Sequence, residues 1–158
     1  MLTQTSVKKI DIFAGLTRDQ ITEICGWLKP MHFPANSEIF REGQLPNGLY
    51  ILSKGTVGVM KASTRGKFRL ANIEAPSYFG EMGLLEGAER SAGVVCRTDV
   101  DVMLLPFDLF SQKLRNDNLA ALKVALNFGR IVCQRLRGTN TQLAVKTATV
   151  AGIARPRV

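Results

Sequence analysis

One histidine, one tryptophan and three cysteines are all that this 158-residue chain holds of those residue types. A single imidazole cannot build a multi-histidine metal site, and His32 reads as a structural histidine rather than a haem ligand. Cys25, Cys96 and Cys133 are odd in number and far apart, with no C-x-x-C pair. An iron–sulfur cluster held by four thiolates is therefore excluded. Each cysteine sits in an apolar run, so three buried free thiols are expected. No apolar run reaches the length of about 18 residues that a spanning helix needs. Residues 1–9 lack the apolar core and cleavage site of a secretory signal. These absences point to a cytoplasmic protein with no membrane partner. Neither a Walker A pattern nor G-x-S-x-G occurs, and nothing indicates an enzyme or a cofactor.

Acidic residues are missing altogether after Asp117. Beyond it stand Lys123, Arg130, Arg135, Arg137, Lys146, Arg155 and Arg157, which supply seven of the net charge of +8. Two readings fit this asymmetry. The segment contacts nucleic acid or an acidic protein, or it is a solvated helix face whose basic residues complement the C-terminal end of the dipole.

What is present begins with length: 158 residues fit one domain, with enough chain to bury a core. Thr17-Arg18-Asp19-Gln20 has the capping-box form, with Ile21, Ile24, Trp27 and Leu28 following at helical spacing. A helical segment over about 12–30, ending before Pro30, is expected. Short β-like runs then recur at 31–33, 38–41, 49–52, 56–61, 68–73, 93–96 and 100–105, divided by turn residues. Many short strands with glycine-rich turns indicate a sandwich or barrel over about 31–105. From Pro106 the period becomes helical: a short helix over 107–114, then a long one from about 118 to 146. Leu122, Leu126, Gly129, Cys133, Leu136, Asn140 and Leu143 follow heptad steps, and Ala121, Ala125, Phe128 and Val132 form a second stripe beside them. Two stripes fit either two packing surfaces, one for the chain's own strands and one for a second copy, or a single broad face packed only on its own domain. The remaining 149–158 is a basic tail.

The densest chemistry lies at 79–92, Phe79-Gly80-Glu81-Met82-Gly83-Leu84-Leu85-Glu86-Gly87-Ala88-Glu89-Arg90-Ser91-Ala92. Gly80 lets backbone approach a ligand closely. The residues after it can open a short helix, whose free N–H groups favour an anion. Arg90 offers a fork of donors matched to phosphate oxygens. Ionised Glu81 only accepts hydrogen bonds, which suits a sugar hydroxyl and repels a phosphate.

This stretch resembles the phosphate-binding cassette of cyclic-nucleotide-binding domains. That pattern reads F-G-E, a hydrophobic and a small residue, L, then R, a small residue and A. Phe79, Gly80, Glu81, Leu84, Arg90, Ser91 and Ala92 fit it. The likeness runs from about residue 12 to 143 and includes Arg41-Glu42-Gly43 and Leu49-Tyr50-Ile51-Leu52-Ser53-Lys54-Gly55.

The resemblance implies an α+β fold: a jelly-roll β-roll of about eight strands, with an N-terminal helix and a long C-terminal helix. It implies that Glu81 binds the ribose 2′-hydroxyl and Arg90 the cyclic phosphate of cAMP or cGMP. Gly80, Met82, Gly83 and Ala92 complete that part of the expected ligand set. Ser91 bonds the phosphate, reaches the amino group of a syn guanine, or is satisfied by backbone. Thr139 and Asn140, on the long helix, fall where bacterial activator-type members meet the purine. Asn140 reads an adenine edge or fixes the register of a helix seam. Arg130, Gln134 and Arg135 are lesser candidates to cap the base. Activator-type members carry a helix-turn-helix domain after this helix, and here the chain stops about where it would begin. The expected output is thus a surface change read by an unidentified protein partner, with a homodimer formed through the long helix. The less favoured alternatives are nucleic-acid binding by the basic segment, as in a transcription regulator, and a ligand-free protein-interaction module in which Glu81 and Arg90 pair with each other.

Overall fold

The computed structural model describes residues 10–64 and 66–150. The N-terminal residues 1–9 and all but the first two positions of the basic tail at 149–158 lie outside it. A 3-10 turn at Asp11–Phe13 leads into α1, Arg18–Cys25. The capping box forms: the Gln20 backbone N–H donates to Thr17 Oγ1 at 3.3 Å, and the Thr17 N–H to Gln20 Oε1 at 3.0 Å. Ile21 and Ile24 turn inward and are buried.

Helix α1 ends five residues before Pro30, earlier than its apolar spacing implies. Lys29–Phe33 is instead strand β1, which holds Pro30 within it. A proline is tolerated there because β1 is an edge strand, paired only with β8.

Seven further strands follow: β2 (Glu38–Phe40), β3 (Gly48–Lys54), β4 (Thr56–Ser63), β5 (Gly66–Glu74), β6 (Ser77–Phe79), β7 (Gly93–Cys96) and β8 (Val100–Pro106). They form two four-stranded antiparallel sheets, ordered β1-β8-β3-β6 and β2-β7-β4-β5. This is the expected β-roll. Strand β6 escapes the sequence pattern because three residues are too few to show alternation; pairing places it, with Tyr50 opposite Phe79 and Leu52 opposite Ser77.

Strand β3 explains why Leu49-Tyr50-Ile51-Leu52 is apolar without alternation. Tyr50 and Leu52 point between the sheets, against Phe40, Val57, Phe79 and Val102. Leu49 and Ile51 point the other way, into a second core with Ile12, Phe13, Ile21, Phe110 and Phe128. A strand buried on both faces reads as a continuous hydrophobic run.

Three helices complete the fold. The short α2, Glu81–Glu86, follows β6; α3, Phe107–Arg115, follows β8 with Pro106 at its N-cap; and α4 runs Leu119–Val150. One face of α4 is buried through Ala120, Ala121, Val124 and Phe128. Asn127 on that face donates from Nδ2 to the carbonyls of Ile12 and Ala14, at 3.0 and 2.9 Å, tying α4 to the N-terminal turn. The expected second stripe holds only in part, since Val132 is 43% exposed. The heptad residues Leu122, Leu126, Leu136 and Leu143 are exposed on the other face.

The thiol expectation needs correction. Cys96 is buried, Cys25 is half-buried and Cys133 is exposed. Cys133 shares the outward stripe of α4 with exposed Leu126 and Leu136, so its apolar surroundings in sequence find no core. Among the described residues no helix is long and apolar enough to cross a membrane.

Candidate functional site

A cavity of about 420 Å³ opens between α2 and the inner face of the β2-β7-β4-β5 sheet. Seven of the nine expected ligand residues line it: Gly80, Glu81, Met82, Gly83, Arg90, Ser91 and Ala92. Thr139 and Asn140 do not. Both are exposed on α4, and the Thr139 hydroxyl donates to the Arg135 carbonyl within the helix at 3.0 Å.

Arg90 is 4% exposed, the one buried cation among the described residues. Its Nη1 donates to the Gly80 carbonyl at 2.9 Å, and its Nη2 to the Gly48 carbonyl at 2.8 Å and to Asn47 Oδ1 at 3.0 Å. The guanidinium lies 4.1 Å from the centroid of the Phe40 ring. Phe40 in turn packs on Tyr50 and Phe79, which stack on each other at 5.3 Å. All of these hydrogen bonds end on neutral oxygens. Burial accordingly pulls the guanidinium pKa below its ordinary value. Its Nε is buried and has no hydrogen-bond partner among the described residues. A buried cation with only neutral acceptors and one N–H unpaired is an electrostatic demand for an anion.

Backbone contacts aim this side chain. The Arg90 N–H donates to the Gln44 carbonyl at 2.8 Å, and the Gly43 N–H to the Arg90 carbonyl at 2.9 Å. The Arg41–Gln44 turn therefore acts as a clamp on the end of the cassette.

Glycine is required at two places by close approach. Gly80 has φ +83°, and a Cβ there would stand 2.5 Å from Arg90 Nη1. A Cβ on Gly83 would stand 2.5 Å from the Pro46 ring.

Glu81 begins α2 on the cavity wall. It does not pair with Arg90; its Oε1 accepts from Nη1 of Arg135 on α4. The Arg135 guanidinium also lies 5.9 Å from the Tyr78 ring centroid. Tyr78 meets Phe128 edge-on, at 5.9 Å between centroids. Arg135, a lesser candidate in the sequence, is thus the helix residue that reaches the site. The Ser91 hydroxyl points toward Met82 Sδ at 3.6 Å, a weak contact that leaves it competent for other partners.

Sequence reasoning overlooks Asn47, Phe40 and Lys61. Asn47 and Phe40 hold Arg90 from positions far away in the chain. Lys61 lines the cavity, and alternation with Val57 and Val59 on β4 is the one signal that would have found it.

An antiparallel β-roll with a glycine–carboxylate–arginine cassette facing a cavity is the architecture of a ligand-binding domain. The model of the cyclic nucleotide-binding domain matches residues 30–117, and the chain belongs to that family. It is similar to the cyclic AMP receptor protein of Thermus thermophilus, at 28% identity over 87% of this chain and 62% of that one. It is also similar to glutaminase 2 of Bradyrhizobium diazoefficiens, at 32% identity over 87% of this chain but 21% of that protein. The crystal structure of the Thermus thermophilus catabolite activator protein superposes with a TM-score of 0.76 at 26% identity, over 87% of this chain and 63% of that one. A cyclic nucleotide-binding domain from Methylobacillus flagellatus has the same fold, with a TM-score of 0.77 at 24% identity over 90% of this chain and 81% of the other. The chain thus spans about a fifth to three fifths of the length of these curated relatives.

Proposed function

We propose that this chain is a non-enzymatic cytoplasmic regulator that binds a cyclic purine nucleotide in the cassette cavity and signals through α4. The observation that carries this reading is Arg90, a buried cation beside the cavity with Nε unpartnered. A cyclic phosphodiester bears one negative charge, which one guanidinium neutralises. Glu81 accepts from the ribose 2′-hydroxyl, using lone pairs that Arg135 on Oε1 leaves available. Gly80, Met82, Gly83, Ser91 and Ala92 form the remaining wall around phosphate and sugar. cAMP stands ahead of cGMP, because the similar Thermus protein is a cyclic AMP receptor by name.

The base lies toward α4, and Thr139 and Asn140 meet it when the helix turns inward. The helix is tied to the site through Arg135 and Tyr78, so filling the cavity changes its angle. A homodimer through the exposed heptad face completes the device, and an unidentified protein partner reads the change. Support for the dimer comes from Leu126 and Leu136, which are 55% and 59% exposed at heptad spacing.

Calorimetric titration of nucleotide-stripped protein with cAMP and cGMP tests the proposal, with Arg90→Ala as control. One saturable site per chain, lost in Arg90→Ala, is expected. Absence of heat and of displacement with both nucleotides would overturn it.

A further inference from the structure

Lys61 is a second cation in the cavity, on the strand wall opposite the cassette helix. It stands on β4 two residues after Val59 and four after Val57, and both Val59 and Lys61 line the cavity. The other lining residues of β4 and β5 are Leu70 and Ile73, both apolar. A lysine at an inward position needs partners, and this one has them. Its Nζ donates to the Ser91 carbonyl and to Glu42 Oε1, each at 2.7 Å. Glu42 does not line the cavity, and its second oxygen accepts the Ala62 N–H at 2.8 Å, which fixes its own position. The ammonium is therefore anchored beside Ser91, the residue following Arg90, on a side chain that is 40% exposed.

An ammonium has three donors and no acceptor. Two are used, on Glu42 and the Ser91 carbonyl, which leaves one for a ligand acceptor in the cavity that Lys61 lines. Purine edges differ at this point. Guanine presents two acceptors, O6 and N7, along one edge; adenine presents N7 beside an N6 amino donor. A donor-only group at the strand wall suits the guanine edge and opposes the adenine amino group. Resting on the nucleotide-binding reading above, we infer that Lys61 is a specificity-determining residue. It reads the O6 and N7 acceptors of the base and raises the affinity for guanine-type cyclic nucleotides relative to cAMP.

The test is titration of wild type and Lys61→Met with cAMP, cGMP and cyclic inosine monophosphate. Methionine keeps the length of the side chain and removes the donors. The inosine nucleotide keeps O6 and N7 but lacks the 2-amino group, which separates a Lys61 contact from one made by Ser91. The expected result is a loss of about tenfold in the cGMP-to-cAMP affinity ratio, matched by the inosine nucleotide. An unfolding temperature of Lys61→Met close to that of wild type shows that the fold is intact. An equal loss for all three nucleotides would assign Lys61 to the shared phosphate or to bracing Ser91, and would overturn the inference. An unchanged ratio would overturn it as well. If wild type binds none of the three, the nucleotide-binding reading itself fails, and this inference falls with it.

Discussion

The carboxylate of Glu81, on the cavity wall, is held by the guanidinium of Arg135, 54 residues further along the chain on the long helix. The side chains are 15% and 58% exposed, so the pair spans the boundary between site and solvent. Partly exposed pairs contribute up to about 1 kcal/mol. That is too little to hold the fold and enough to bias a helix between two positions. Arg135→Ala should leave cAMP affinity within about fivefold of wild type, as a pair of that size implies. It should abolish the ligand-dependent change in a spin-label distance measured between the α4 helix and the roll. An undiminished change in the variant would sink the coupling role.

Arg90→Ala should weaken nucleotide binding by about 3–5 kcal/mol, since the ligand phosphate would be left desolvated and unpaired. Arg90→Lys should recover little of this. The ammonium cannot donate at once to Gly80, Gly48 and Asn47 in the planar geometry that the guanidinium uses. Calorimetry on both variants checks the ranking.

Gly80→Ala places a methyl group 2.5 Å from Arg90 Nη1 and asks alanine to adopt φ +83°. A cost of about 1–3 kcal/mol in stability is expected, with loss of ligand binding because Arg90 must move. Thermal unfolding and titration of the same sample test both. Retained binding at full stability would show that the cassette adjusts freely.

The two faces of α4 should separate in mutagenesis. Phe128→Ala removes a fully buried ring and should destabilise the fold by about 3–5 kcal/mol. Leu136→Ser lies on the exposed heptad face and should leave the unfolding of the monomer nearly unchanged. It should, however, shift a concentration-dependent dimer equilibrium toward monomer, measurable by sedimentation.

Glu42 carries a pH signature. Its carboxyl is held below the ordinary range, first by the hydrogen bond from Lys61 and then by the Ala62 N–H. A pKa depressed in the folded state gives stability that is present above the unfolded value, about 4.3 for glutamate, and lost as pH falls through the folded value. Unfolding temperature measured from pH ~6 down to pH ~2 should therefore fall more steeply for wild type than for Glu42→Gln. Parallel curves would mean that the Lys61–Glu42 pair does not persist in solution.

Legibility in the sequence followed range of contact. The cassette was readable because its glycines, Glu81 and Arg90 lie within one short contiguous stretch. The capping box at Thr17 was readable for the same reason: donor and acceptor stand three residues apart. What holds Arg90 in place was not readable, because Asn47 lies 43 residues away and the Arg41–Gln44 turn meets the cassette only across the roll.

The sequence by itself determined the helices and seven of the eight strands, the family, and Glu81 and Arg90 as charged residues of the cavity. Those properties rest on local spacing and on side-chain chemistry that no fold alters. Tertiary structure decided that Pro30 falls in an edge strand, that Cys133 is exposed, that Lys61 faces inward and that Glu81 is joined to Arg135 rather than to Arg90. Each depends on which distant backbone segments pack together, and that is set by burial of the two cores on either side of β3.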